Sequence, residues 1–559
     1  MKRHQASPLQ IALSKCKTAF LFAFLFSFFI SLLTLAMPIY SMQVLDRVLS
    51  SNSIETLVFL SLIMIVFFIF LGILNAIRSA VFLQISNWLD KSLSPVLFDS
   101  GIENQDNKSL SIQNLRDLQA IKSFIASQNL GVIFDAPFAI VFLIFIFFIH
   151  PINGIVTVVG ALILLKMAFI NEKMTKDLIE KTNEMQVELA RDFEIISSNS
   201  ESVKAMGMKN NVKKTWQISN SKFRELSNQL ASRSNIIGST TKSLRLTIQM
   251  VTTAASAILV IYNKMSSGGI IAVSILSGKA LTPFDSAISL WKVITTAKKS
   301  YSRLHESLKS YDLDKDKISL PEMRGEVSAE KLVYKVDKLD RFLIKGLSFQ
   351  INPGELIAIV GPSGSGKTTL ARLLVGIIKP TSGVVRFDGA DLADQDFEKI
   401  GKFIGYLPQD IELFKGTIKE NISRMSKEES DEDIIAVAEL CGIHKIILNL
   451  PNGYETKIDK ESLNLSAGQK QRIGLARACF GNVKLVVLDE PNSNLDTEGE
   501  MALVNVMRQL SKRKVTTILI THKPSIAALC NKVMLLNEGQ IAVFDESKNV
   551  IRKDNKINA

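Results

Sequence analysis

Gly361-Pro-Ser-Gly-Ser-Gly-Lys367-Thr368 stands between an apolar run, Leu356 to Val360, and a helix-compatible run, Leu370 to Val375. Its spacing is that of a complete G-x-x-x-x-G-K-[ST] phosphate loop opening a helix. Glycines at 361, 364 and 366 let the backbone approach a ligand where side chains would block it, so that N–H groups at a helix N-terminus can converge on phosphate oxygens. Lys367 brings a mobile positive charge to the outer phosphates, and Thr368 brings a hydroxyl suited to Mg²⁺. The run Gly361, Pro362, Ser363, Gly364, Ser365, Gly366, Lys367, Thr368 and Thr369 is assigned to the nucleotide. A Gly/Ser-rich turn would explain the glycines alone, but not a second motif downstream.

That second motif is Leu485-Val-Val-Leu-Asp489-Glu490, an aliphatic run ending in two carboxylates. A strand with no polar face belongs in the middle of a parallel sheet, and ligands of such sheets sit beyond the strands' carboxyl ends. Asp489 is therefore placed to hold Mg²⁺ through water, and Glu490 to polarise the water that attacks the γ-phosphate. His522 follows another apolar strand, Val515 to Ile520, and so falls on the same side. Cys441, Cys479 and Cys530 lack metal-ligand spacing and read as packing residues.

Between the two motifs, Leu465-Ser466-Ala467-Gly468-Gln469 precedes a helix-forming stretch, Lys470 to Ala478. Here the chain resembles the ATP-binding cassette family over residues 325 to 550. The resemblance implies Gln409 as the loop glutamine sensing Mg²⁺ and water, and Ser466, Gly468 and Gln469 as signature residues toward the γ-phosphate. It further implies Asp496 in the loop Ser493-Asn-Leu-Asp, and His522 as the switch histidine. Two departures stand out. Ala467 replaces the usual signature glycine, and register from Gly346-Leu-Ser-Phe349 puts Val336 where an adenine-stacking aromatic is usual. Tyr334, two residues earlier, is the candidate for that role.

At 559 residues the chain is too long for one core. Hydrophobic residues make up 47%, and the mean hydropathy is +0.21, which points to membrane segments. No charge occurs from Thr18 to Tyr40 or from Thr56 to Ile77, each long enough to cross about 30 Å of hydrocarbon. The region Gln128 to Ile170 is broken at His150-Pro-Ile-Asn-Gly154 and reads as a helical hairpin. A fifth span runs from Leu246 to Tyr262, and a sixth from Ile270 to about Trp291. The sixth contains Lys279 and Asp285, which are costly in lipid and belong toward a bundle interior or an aqueous path. Six spans keep both ends on the cytoplasmic side, where ATP is.

The formal charge of +12 follows the positive-inside rule: Lys2, Arg3, Lys15 and Lys17 precede the first span, and Lys173, Lys176, Lys204, Lys209, Lys213 and Lys214 share one polar segment. That distribution argues against a nucleic-acid partner. Four cysteines without paired spacing argue against a disulfide framework. The polar segments Ser79 to Ala126 and Asn171 to Lys242 predict helices continuing beyond the membrane, the second with a cross-helix near Ser200 to Lys209 that would contact the cassette. The expected fold is a six-helix all-α transmembrane domain with long cytoplasmic helical extensions, followed by an α/β P-loop ABC ATPase domain. Its expected limits are a short N-terminus at 1–17, the membrane domain at 18–296, a Lys-, Ser- and Asp-rich linker at 297–325 and the cassette at 326–559.

Phe134-Asp-Ala-Pro-Phe138, Ala205-Met-Gly-Met208 and Ala272 to Pro283 narrow the resemblance to the type I protein secretion ATPases, of the protease and lipase exporter kind. That likeness implies an inner-membrane homodimer sandwiching two ATP molecules with Mg²⁺. It also implies a periplasmic membrane-fusion adaptor, an outer-membrane channel and an unfolded secreted polypeptide as partners. With some seventeen residues before the first span, no peptidase-like domain and no leader processing are expected. A lipid or small-amphiphile exporter and an ATP-gated regulator are the competing readings.

Overall fold

The computed structural model describes residues 7–103, 108–309, 323–336, 341–459 and 465–550. It separates into two compact units, Met1–Leu313 and Asp314–Ala559.

The first unit is all helix, because backbone polar groups in hydrocarbon must be satisfied within their own segment. A short amphipathic helix, α1 (Pro8–Lys15), is closed by a capping box between Ser7 and Gln10, and buries Leu9 fully. The first span runs as α2 (Lys17–Thr34), α3 (Ala36–Gln43), a π-helical turn at Val44–Val48 and α4 (Leu49–Ser51). Left-handed Asn52 ends it. The second is α5 (Ile54–Glu103), whose 50 residues far exceed a bilayer; the next described helix is α6 (Lys108–Ala126). The third is built from α7 (Gln128–Asp135), a 3-10 turn at Ala136–Phe138 imposed by Pro137, and α8 (Ala139–Ile149). Extended His150 and Pro151 then make the expected tight turn into α9 (Pro151–Ser198). A short helix, α10 (Ser200–Ala205), lies where a cross-helix is predicted and leads to α11 (Lys209–Ile261) and α12 (Ser267–Lys309). Among the described residues, six helical segments are long and apolar enough to cross a membrane.

Polar contacts pin these helices together. Arg78 of α5 donates to Ser27 at 2.7 Å, to Asn75 at 3.0 Å, and to Asp135 of the Phe134-Asp-Ala-Pro stretch. Arg245 of α11 pairs with Asp285 of α12 at 2.9 Å, so the costly acid of the sixth span is neutralised.

Of the stretch expected as linker, 297–309 is the end of α12, which continues to Lys309, and 310–322 lie outside the described residues. Ala297, Leu304 and Leu308 recur at helical spacing and are buried, and the last two, completely buried, cluster with Leu118 and Ile121 of α6. Alongside that apolar seam, Asp117 of α6 accepts from Ser300 at 2.8 Å and from Arg303 at 2.9 Å. Lysines and serines on the other faces disguise the seam as a linker.

The second unit holds two main sheets. In the antiparallel one, β1 (Val327–Val336) lies between β2 (Arg341–Ile351) and β4 (Ser382–Phe387), with β5 (Ala390–Asp391) at the edge. The central sheet contains β3 (Leu356–Val360), β6 (Ile404–Leu407), β9 (Leu485–Asp489), β10 (Thr516–Ile520), β11 (Lys532–Asn537) and β12 (Gln540–Glu546). Its order is β12-β11-β3-β10-β9-β6, parallel except for β12. A small ribbon pairs β7 (Gly416–Thr417) with β8 (Lys457–Ile458). The helices are α13 (Lys367–Leu374), α14 (Phe397–Ile400), α15 (Ile418–Ile422), α16 (Asp431–Leu440), α17 (His444–Leu448), α18 (Ala467–Cys479), α19 (Thr497–Lys512) and α20 (Pro524–Ala527). β9 and β10 are buried at every position, as inner strands of a parallel sheet are, with Asp489 of β9 and Thr516 and Thr517 of β10 included. Cys441, Cys479 and Cys530 sit in the same core, and burial pushes the Cys530 thiol up to about 12.

Candidate active site

Strand order builds the site. The four neighbours β3, β10, β9 and β6 all point the same way, so the segments after their carboxyl ends share one edge. Those segments are the phosphate loop, Thr521-His522, Asp489-Glu490 and Gln409.

The phosphate loop is tight where its glycines fall. Gly361 has φ 155°, and a Cβ there would meet the Leu536 carbonyl oxygen at 2.2 Å. Gly366, the residue capping α13, has φ 101°. Pro362, Ser363 and Gly364 form the exposed tip, while Ser365 and Lys367 are buried beneath it. The first turn of α13, with Lys367, Thr368 and Thr369, presents N–H groups that have no intrahelical acceptor. This is an anion-binding terminus. Lys367 Nζ folds back to donate to the carbonyls of Gly361 and Pro362, both at 2.9 Å. Burial lowers its pKa, and the charges of Glu490 and Asp489 oppose that shift.

Asp489 is fully buried, and neither carboxylate oxygen has a hydrogen-bond partner of normal length. Burial raises its pKa. The Thr368 hydroxyl beside it works in the opposite sense, and the Glu490 charge adds to the rise. A buried carboxylate without a donor is costly unless a cation takes its lone pairs. Asp489 and the Thr368 hydroxyl beside it, with the Gln409 amide oxygen, are the hard oxygen donors that could hold Mg²⁺, which commonly takes one or two carboxylates plus phosphates and waters.

Glu490 is held from both sides and through its backbone. Its carboxylate accepts from Gln409 Nε2 at 3.3 Å and lies 3.0 Å from His522 Nε2. Its φ is 49°, a left-handed value unusual for a residue with a side chain. The Glu490 N–H donates to the Ile520 carbonyl at 3.0 Å. Gln471 of α18 donates to the carbonyls of Glu490 at 3.3 Å and Pro491 at 3.1 Å. Thr521 donates to Asn492 Oδ1 at 3.0 Å, tying the ends of β10 and β9 together. A carboxylate fixed between a glutamine and a histidine, next to a phosphate cradle, is suited to accept a proton from water.

The signature residues form a second cluster. Ser466 and Gln469 make a reciprocal capping box at the start of α18, with bonds of 3.2 and 2.9 Å. Gly468 packs against the loop to α19, where a Cβ would lie 2.8 Å from the Asn494 carbonyl oxygen. Asp496 caps α19 through the Gly499 N–H at 2.8 Å and pairs with buried Arg472 of α18 at 2.5 Å. The Gly499 N–H, followed by Arg472, lowers its pKa. Tyr334 is half-buried on β1, opposite Ile344, and packs against the core under the antiparallel sheet.

Three contributors escape motif reading: Gln471, Arg472 and Asn492. Gln471 and Arg472 are buried polar residues two and three positions beyond Gln469. Two consecutive polar residues that helical phase turns inward were the signal available.

The ABC transporter transmembrane region family model matches residues 20–283, and the ABC transporter family model matches residues 344–493. The type I secretion system ATP-binding protein PrsD of Rhizobium meliloti is 35% identical over 97% of this chain and 93% of its own. The leukotoxin translocation ATP-binding protein LktB of Mannheimia haemolytica is 28% identical over 97% of this chain and 78% of its own. A bacterial Atm1-family ABC exporter solved with ATP bound shares the fold, with a TM-score of 0.83 at 22% identity over 96% of both chains. The chain belongs to the ABC transporters, in the type I protein secretion ATPase/permease family.

Proposed function

We propose that this protein is an ATP-driven, multi-pass inner-membrane exporter of polypeptides. One observation carries the reading: Glu490 sits between Gln409 and His522 beside a complete phosphate loop, in a chain that also supplies six spans.

In the proposed cycle, ATP phosphates take the place of the Gly361 and Pro362 carbonyls as partners of Lys367, and occupy the free N–H groups of α13. Bound Mg²⁺, held by Asp489, Thr368 and Gln409, would offset the charge of the phosphate oxygens. Glu490 removes a proton from the water attacking the γ-phosphorus, and ADP leaves. Gln409 orients that water from one side, and His522 fixes Glu490 from the other. Neither residue forms a bond to phosphorus, so their contribution is positioning and charge.

Ser466, Gly468 and Asp496 are assigned to the nucleotide of a second copy. Within this unit their polar groups are occupied by the capping box, the α19 cap and Arg472. A homodimer with two composite sites follows from that assignment, with α10 carrying closure toward the spans. Tyr334 remains the candidate against adenine. A periplasmic membrane-fusion adaptor and an outer-membrane channel complete the path, in keeping with the secretion role named for PrsD.

The test is capture. The Glu490→Gln protein is purified from its native membrane with ATP, and bound material is identified by mass spectrometry. Co-purifying polypeptide supports export of protein; lipid alone would overturn it.

A further inference from the structure

The sixth span carries a charge that the rest of the bundle leaves alone. Lys279 lies about 18 Å along α12 from Ser267 and about 12 Å from Ala287, the limits of the apolar segment. Both distances exceed what a lysine stem spans by snorkelling. Its side chain is exposed, and none of the ion pairs among the described residues involves it.

The surroundings assign each face of α12. Val273, Leu276 and Ala280 pack with Leu35, Phe142 and Ile146. Leu281 packs with Ala161, Leu164 and Ile248. Ser274 accepts from Gln249 of α11 at 3.2 Å through its carbonyl, and Asp285 pairs with Arg245. What remains is a stripe, Ile271, Ile275, Lys279, Thr282 and Ser286, in which no residue is buried. Its outer half is apolar and its inner half polar. Exposed faces of α5 in the membrane are different: Val58, Phe59, Leu62, Ile63 and Val66 show only hydrocarbon, and no charge occurs from Thr56 to Ile77. A lysine on a lipid-facing stripe is costly at the centre of a span. Water removes that cost.

We propose that the Lys279 stripe lines the aqueous translocation path and that Lys279 makes the path favour acidic polypeptide segments. Arg245 neutralises Asp285, so Lys279 is the unbalanced charge of this part of the sixth span. A carboxylate on an extended chain passing the stripe gains a partner there, and a lysine or arginine is repelled. The cargo half of this proposal rests on polypeptide export; the lining half does not.

Two single-cysteine reporters flank the lysine in the full-length protein in native membranes, Thr282→Cys and Ile275→Cys. The four natural cysteines are buried, and the unsubstituted protein sets the background. Each reporter is reacted with a sulfonate-bearing and a trimethylammonium-bearing methanethiosulfonate. Both reagents should reach the cysteines, with the anionic one favoured. Adding Lys279→Gln should cut that preference by about tenfold, as expected for a unit charge within a helical turn, while Lys279→Arg keeps it. If neither cysteine reacts, or the preference ignores Lys279→Gln, the lining assignment is wrong. In parallel, a Glu-rich and a Lys-rich unstructured peptide of equal length are compared as stimulators of ATPase activity. Stronger stimulation by the acidic peptide, lost in Lys279→Gln, supports the selectivity, and equal stimulation overturns it. Labelling as expected with stimulation by neither peptide supports the aqueous lining and removes the polypeptide reading instead.

Discussion

Replacing Gln471 by leucine keeps side-chain volume and helix propensity while deleting the two bonds that reach the carbonyls of Glu490 and Pro491. Gln471 is 2% exposed, so water does not readily replace the lost donor. Each buried bond contributes about 0.5–1.5 kcal/mol net, and an unsatisfied carbonyl costs at least as much. The pair is therefore worth about 2 kcal/mol. That energy holds Glu490 at φ 49°, a conformation a glutamate does not favour on its own. If half of it is expressed as lost alignment of the carboxylate, kcat falls by about fivefold; if all of it is, by about thirtyfold. KM for ATP should stay within about twofold, because Lys367 and the phosphate loop are untouched. Steady-state phosphate release by the purified full-length protein measures both constants, and thermal unfolding checks that the variant is folded. An unchanged kcat in a folded variant, or a raised KM with kcat intact, would refute the positioning argument.

Other perturbations follow from the same geometry. Gly361→Ala drives a Cβ to 2.2 Å from the Leu536 carbonyl oxygen at a left-handed φ, so nucleotide affinity should fall by at least tenfold in equilibrium binding. Asp489→Asn should raise the melting temperature of the nucleotide-free protein at neutral pH while abolishing Mg²⁺-dependent turnover. The sign follows from linkage. A carboxyl whose folded pKa is raised binds more protons folded than unfolded, so stability is lost as pH rises from the ordinary carboxylate value through the raised one. The wild-type protein should lose stability across that window, and the variant should lose less; identical pH profiles would count against the buried-charge argument. Leu304→Ala empties a fully buried site between α12 and α6, and should cost about 2–5 kcal/mol in thermal or denaturant unfolding. A loss below about 0.5 kcal/mol would mean that 297–309 behaves as a loose connection.

The sequence made some features plain for identifiable reasons. β3 is aliphatic throughout, β9 is aliphatic up to Leu488, and β10 carries Ile518 to Ile520 behind two β-branched threonines, so their burial and parallel pairing were readable, and with them the common edge shared by Lys367, Asp489, Glu490 and His522. The spans were readable because hydrocarbon tolerates few charges. The seam at Leu304 and Leu308 was not, since two apolar positions among lysines and serines look like linker until α6 supplies the opposing face. Gln471 and Arg472 were hidden because their partners are backbone carbonyls and a distant aspartate, fixed only by the phase of α18 against β9. The Arg245–Asp285 pair joins residues on two helices, which no local pattern links.

The most direct test of the central claim is single-turnover and steady-state hydrolysis by the Glu490→Gln protein alongside nucleotide binding. The geometry predicts ATP affinity within a few-fold of wild type and phosphate release slower by at least about a hundredfold, since the carboxylate held between Gln409 and His522 is the proposed proton acceptor. Hydrolysis at a wild-type rate with ATP bound would contradict it.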